Sequence, residues 1–246
     1  MTRRARLMLG LLAGAAVATL WVVGVLGMPQ FGSNDHPYRD RAVAAAVEHA
    51  TANVVSAVNY DQRALDTFGE ETILLGSVVG AATLLRPTEQ EHTDTVEHDG
   101  GPVLEAVALL GYVLLPVTLL IGADLVAHGH LTPGGGFQGG VVLGTAVHLL
   151  YLTGRLPILE KARPVGLYRA GEAVGTTVFA ATGLAGLAAG GGFLANVLPL
   201  GTFGALLSSG TVPLLNVAVG VEVASGVVVL LARFLDQALR IRQDVP

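Results

Sequence analysis

Val103-Leu-Glu-Ala-Val-Ala-Leu-Leu-Gly-Tyr-Val-Leu-Leu-Pro-Val-Thr-Leu-Leu-Ile-Gly-Ala-Asp-Leu-Val-Ala127 carries two charges, Glu105 and Asp124, one near each end. At 1.5 Å rise per residue, about twenty apolar residues cross a hydrocarbon core of about 30 Å, so this run reads as a membrane-spanning helix. Its two carboxylates then stand roughly 28 Å apart and cannot form one site. Outward from it, Leu7–Gly27, Phe137–Leu152 with its glycine lead-in, and Leu214–Leu235 are runs of the same kind, and Ala173–Gly190 is small-residue-rich but long enough. Ile73–Leu85 has 13 apolar residues and spans only if the polar lead-in Asp66-Thr-Phe-Gly-Glu-Glu71 is drawn in with it.

Composition agrees. Of the 246 residues, 52% are hydrophobic and 13% charged, about half the ~25% charge share of a soluble domain, which excludes disorder and disfavours a soluble fold. The 33 glycines follow no G-x-y period, so they point to close helix packing rather than collagen. Without cysteine there is no disulfide, thiolate metal site or Cys nucleophile. Aromatics at 5% and a net charge of -5 leave no surface for nucleic acid.

The expected fold is an all-α integral membrane protein of six spans with both termini cytoplasmic. Arg3, Arg4, Arg6, Arg86, Arg155, Lys161, Arg163, Arg169, Arg233, Arg240 and Arg242 then lie inside, against Arg39, Arg41 and Arg63 outside. Five spans with the N-terminus outside give the same division, and Met1-Thr-Arg-Arg-Ala-Arg6, directly before the first span, favours six. Thr2-Arg3-Arg4 hints at a twin-arginine signal, but the apolar run exceeds the 7–15 residues of a signal core, so a retained helix is expected. In Pro29–Arg63, the only sizeable external segment, Val43, Val47, Ala50 and Val54 recur at helical spacing, which fits an interfacial amphipathic helix or a packed linker. Arg86–Gly101, with Glu89, Glu91, Asp94, Glu97 and Asp99, reads as an acidic linker between two units.

Gly134-Gly-Gly-Phe-Gln-Gly139 formally fits G-x-G-x-x-G, with Glu160 about twenty residues on, yet an apolar helix precedes it and another span comes after, so no dinucleotide cofactor is expected. Pro133, Gly134, Gly135, Gly136, Phe137, Gly139 and Gly140 read instead as a tight connection whose glycines let the backbone turn and the helices approach. His128 and His130 are two apart and share no helix face; with no spacing that completes a ligand set, no metal is expected, and His128 is placed to pair with Asp124 at i, i+4. No nucleophile pattern is present, so the chain does not read as an enzyme and implies no cofactor.

Ionisable groups in the spans are then the informative residues, because each costs free energy there. Asp66 and Glu70 share a face at i, i+4; Glu222 falls near mid-depth between Val219-Gly-Val and Val223-Ala; His148 lies midway along the fourth span. These four are the ion-path candidates. Glu105, Asp124 and Glu172, at span ends, read as interhelical contacts.

Two stretches together resemble a known family. Asn53-Val-Val-Ser-Ala-Val-Asn-Tyr-Asp-Gln-Arg-Ala-Leu-Asp-Thr-Phe-Gly-Glu70 is similar to the end of the large A subunit of Mrp (Mnh) multisubunit cation/proton antiporters. His130-Leu-Thr-Pro-Gly-Gly-Gly-Phe-Gln-Gly-Gly140, Gly191-Gly-Phe-Leu-Ala-Asn-Val-Leu-Pro-Leu-Gly201 and Pro213-Leu-Leu-Asn-Val-Ala-Val-Gly-Val-Glu-Val-Ala224 resemble its B subunit. The resemblance implies a fusion: an A-tail-like region 1–90 with two spans, an acidic linker 91–100, and an MnhB-like region 101–246 with four. It places Asp61, Arg63, Asp66 and Glu70 on the A-tail pattern and Glu222 on the B pattern. The chain departs at Ser56, usually Asn, and at Asn59, Tyr60 and Gln62, usually apolar, which makes the strand-like approach to the second span more polar.

The same resemblance implies a non-catalytic, multi-pass cell-membrane subunit that works with other subunits in a lipid bilayer, where proton entry drives sodium out. The only lysine, Lys161, lies in a loop, unlike the buried lysines of antiporter-like subunits, so this chain alone is not expected to be an antiporter. Alternatives are the same module in an energy-converting hydrogenase or related redox complex, and a purely structural assembly subunit.

Overall fold

The computed structural model describes residues 3–28, 32, 34–86, 103–153 and 156–241. The acidic linker expected at 91–100 lies outside them. The helices are α1 (Arg3–Leu26), α2 (Pro37–Glu48), α3 (Val54–Ala57), α4 (Ala64–Leu84), α5 (Glu105–Ala127), α6 (Gly136–Leu152), α7 (Leu156–Ala162), α8 (Val165–Ala188) and α9 (Val212–Ile241). No strand occurs among the described residues. The approach to α4, expected to be strand-like, is α3 followed by a π-helical turn, Val58–Gln62. Asn53 makes the difference, because its side chain caps α3 by accepting from Val55 N and Ser56 N.

α1, α5 and Val212–Leu235 of α9 are long and apolar enough to cross a membrane, and α6 is a shorter apolar helix. α4 and α8 have 21 and 24 residues but are diluted by Asp66, Glu70 and Glu71 and by Arg169 and Glu172. α2 exists, yet its buried residues are Ala42 and Ala46, while Val43 and Val47 are exposed. It ends before Ala50, whose φ of 54° stops any continuation to Val54.

The chain forms two compact units, 1–41 and 42–246. The first is α1, apolar on every face, with the start of α2. In the second, α9 packs against α4, α5, α6 and α8. Gly136, Gly140 and Gly144 put one bare stripe of α6 on α9, where a Cβ would stand 2.7, 2.7 and 3.1 Å from the Cβ atoms of Val219, Val223 and Val227. Residue numbers rise together along this contact, so the two helices are parallel. Gly171 and Gly175 of α8 meet Ser225 and Glu222, so α8 is antiparallel to α9. Small residues are what allow backbones to come this close.

Polar side chains fasten one end of this unit. Buried Asn216 donates from Nδ2 to Ser56 Oγ at 3.1 Å and to Val212 O at 3.1 Å, and accepts from Gly136 N at 2.9 Å, joining α9, α3 and α6. Asn53 Nδ2 donates to Gly129 O and Thr132 O, both at 2.8 Å, holding the Pro133–Gly136 connection against α3. Gly134 and Gly135 adopt φ of +142° and +136° there, a conformation only glycine takes readily. His130, fully buried, contacts Leu206 O through Nε2 at 3.1 Å.

Candidate functional site

The first turns of α4 divide their acids between two faces. Asp66 and Glu70 lie on the exposed side, where Asp66 pairs with Arg63. Glu71, one residue on, is turned by about 100° onto the buried stripe of Ala64, Thr67, Val78 and Ala82. That stripe faces α9. Sequence spacing singles out Glu70 and misses Glu71, although the stripe of small and apolar residues around Glu71 is a signal that could have found it.

Opposite stands Glu222, ten residues into α9 and, like Glu71, 0% exposed. Gly175 of α8 makes the space, because a Cβ there would lie 2.6 Å from Glu222 Cβ. The Glu71 and Glu222 carboxyls face each other directly, with Glu70 in electrostatic range of Glu71 and Glu172 of Glu222. Thr176 lies beside Glu222 but donates its hydroxyl hydrogen to Glu172 O at 3.0 Å. None of the four Glu71 and Glu222 oxygens has a donor in hydrogen-bonding geometry, and neither does Glu172 Oε1. Two ionised carboxylates in contact would each cost several kcal/mol away from water and repel one another. The pair is therefore stable only while it holds a proton or a cation.

Glu172 is 4% exposed and lies seven residues into α8, because that helix starts at Val165 rather than at the expected Ala173. The structure thus brings it into the Glu222 cluster rather than leaving it at a span mouth. His148 is half-buried on α6. Extending the α6–α9 register places it level with Leu231, about 13 Å along the axis from Glu222, so it stands apart from the carboxyls. Asp124 pairs with His128 at 2.8 Å, and Glu105 is exposed.

The residues that depart from the antiporter pattern have local partners. Tyr60 is 3% exposed, stacks its ring 6.4 Å from Phe179 and reaches the Gly136 backbone. Gln62 Nε2 donates to Ala42 O at 3.0 Å, Asn59 O accepts from Thr67 Oγ1 at 2.6 Å, and Ser56 accepts from Asn216. Asp61 pairs with His49. The polar approach to α4 is thereby tied to α2 and α9.

An all-helical unit with apolar outward faces and a buried acidic centre is that of a multi-pass membrane protein. The profile of the domain related to the MnhB subunit of Na+/H+ antiporter matches residues 106–229, half of the chain, and the chain belongs to this family. An uncharacterised protein of Methanocaldococcus jannaschii is 29% identical over 201 residues, covering 71% of this chain and 73% of that protein. A probable K(+)/H(+) antiporter A/B protein of Rhizobium meliloti is 28% identical over 157 residues, 56% of this chain but 16% of that protein. Among solved structures, a chain of the membrane-bound sulfane sulfur reductase, an archaeal respiratory membrane complex, superposes with a TM-score of 0.71 at 29% identity, covering 96% of this chain and 99% of its own. A chain of the Mrp complex from a Dietzia species has the same fold, with a TM-score of 0.66 at 23% identity, covering 95% of this chain and 26% of its own.

Proposed function

We infer that this chain is a non-catalytic, multi-pass subunit of a multisubunit cation/proton antiporter in the cell membrane. Proton entry through the assembled complex drives sodium out, and the Glu71–Glu222 pair, with Glu172, forms part of the ion path. The observation that carries this reading is the buried carboxyl pair without donors, built across the A-tail-like region 1–90 and the MnhB-like region 101–246. A carboxyl held away from water exchanges a proton for a cation as its surroundings change, which is the chemistry antiport needs. Asp66 and Glu70, on the exposed face of α4, extend the path toward a neighbouring subunit. Six spans with both termini cytoplasmic put the arginine-bearing ends of α4, α8 and α9 inside.

Glu71→Gln and Glu222→Gln, each measured for sodium-dependent proton flux with assembly verified by blot, test the reading. Loss of flux in assembled complex is expected. Normal flux in both variants sinks the ion path and leaves a structural assembly role.

A second reading has its own support. The match to the archaeal respiratory complex is the better of the two superpositions and covers nearly all of that chain. A membrane-arm subunit of a redox complex would use the same carboxyl pair, and co-purification with redox rather than antiporter subunits would select it.

A further inference from the structure

A cavity of about 300 Å³ lies between α4 and α8, with Val229 of α9 on its floor. Its α4 wall is one stripe from Leu75 to Arg86, about 16 Å long, or half of a hydrocarbon core. Leu75 stands one helical turn beyond Glu71. Glu172 closes the α8 side, with its Oε1 buried and without a partner. Arg86 and Arg169, both exposed, stand at the far end. At ~30 Å³ per molecule the space holds on the order of ten waters, and its polar ends give them partners. The opposite side of the carboxyl cluster is closed. Phe68 packs 5.6 Å from both Phe179 and Phe193, Tyr60 packs on Phe179, and Phe179 is fully buried.

We propose that this cavity is an aqueous inlet connecting Glu172, and through it the Glu71–Glu222 pair, with the arginine-bearing end of the bundle, while the aromatic cluster seals the other end. It rests on the reading of the pair as an ion-handling site. Water in the inlet gives a proton to the Glu172 carboxylate or takes one from its acid, and Glu222 is the next acceptor; no other bond changes. The fully buried Glu71 and Glu222 oxygens, which lack donors, are what such an inlet serves.

The chain has no cysteine, so an introduced thiol reports its own position. Val78→Cys and Ala82→Cys, in the two buried cavity-wall residues, are tested in the assembled complex in vesicles of both orientations. The probe is a charged, membrane-impermeant methanethiosulfonate, with labelling of this chain read by mass. Labelling from the arginine-bearing face alone is expected, together with its loss from Val78→Cys when Ala82→Trp fills the cavity, and with Leu215→Cys unlabelled from either face. No labelling at either position, labelling from the opposite face, or labelling that survives Ala82→Trp overturns the inlet. Flux lost in Glu222→Gln without labelling sinks the inlet alone, whereas labelling with normal flux sinks the ion-handling reading.

Discussion

Glu71 and Glu70 are adjacent in sequence and opposite in environment, and the contrast separates two roles. Glu70→Gln changes an exposed group at the edge of the cluster, so flux falls less than in Glu71→Gln, whose carboxyl contacts Glu222. Parallel flux assays on the two variants check this, and equal losses contradict it. His130 offers a pH test outside the spans. Burial pushes its imidazole below the usual histidine range, so the folded state binds fewer protons than the unfolded one. Stability attributable to His130 is therefore fully present above the ordinary value of about 6.5 and is lost as pH falls through the folded value. Thermal unfolding of the purified protein should show a lower midpoint on acidification, and His130→Gln should flatten that dependence.

At the scale of helices, glycine placement decides the packing. A Cβ at Gly140 would sit 2.9 Å from Gly220 O and 2.7 Å from Val223 Cβ, and backbone cannot step aside as a flexible side chain can. Gly140→Leu should cost about 1–3 kcal/mol or more through overpacking, read as a lower melting temperature or loss of assembled complex. Asn216→Ala leaves the buried Gly136 N–H without its acceptor, a loss of about 1–3 kcal/mol measurable in the same way. Much of this layer was legible. The apolar runs at 103–127 and 214–235 predicted α5 and α9, and glycine abundance predicted close helix contacts. What the sequence could not supply was register. Whether Glu70 or Glu71 meets α9 depends on how α4 is rotated against it, and where α8 begins decides whether Glu172 is an end residue or part of the cluster. The i, i+4 spacing of Asp66 and Glu70 identified a shared face, which tertiary packing then turned outward.

For the whole molecule, the informative feature is that α4, outside the family match at 106–229, supplies half of the acidic centre, and α9, inside it, supplies the other half. A reporter fused after Arg163 should behave as cytoplasmic, and an external signal would overturn the proposed orientation. The central claim is that Glu71 and Glu222 work as one ion-handling unit across the two regions. A double-mutant cycle in the assembled, reconstituted complex tests it most directly, with sodium-dependent proton flux measured for Glu71→Gln, Glu222→Gln and the combined variant. Groups acting as a unit are non-additive, so the combined variant should be no slower than the worse single one. Losses that simply multiply, or flux that stays normal in all three, would contradict the account.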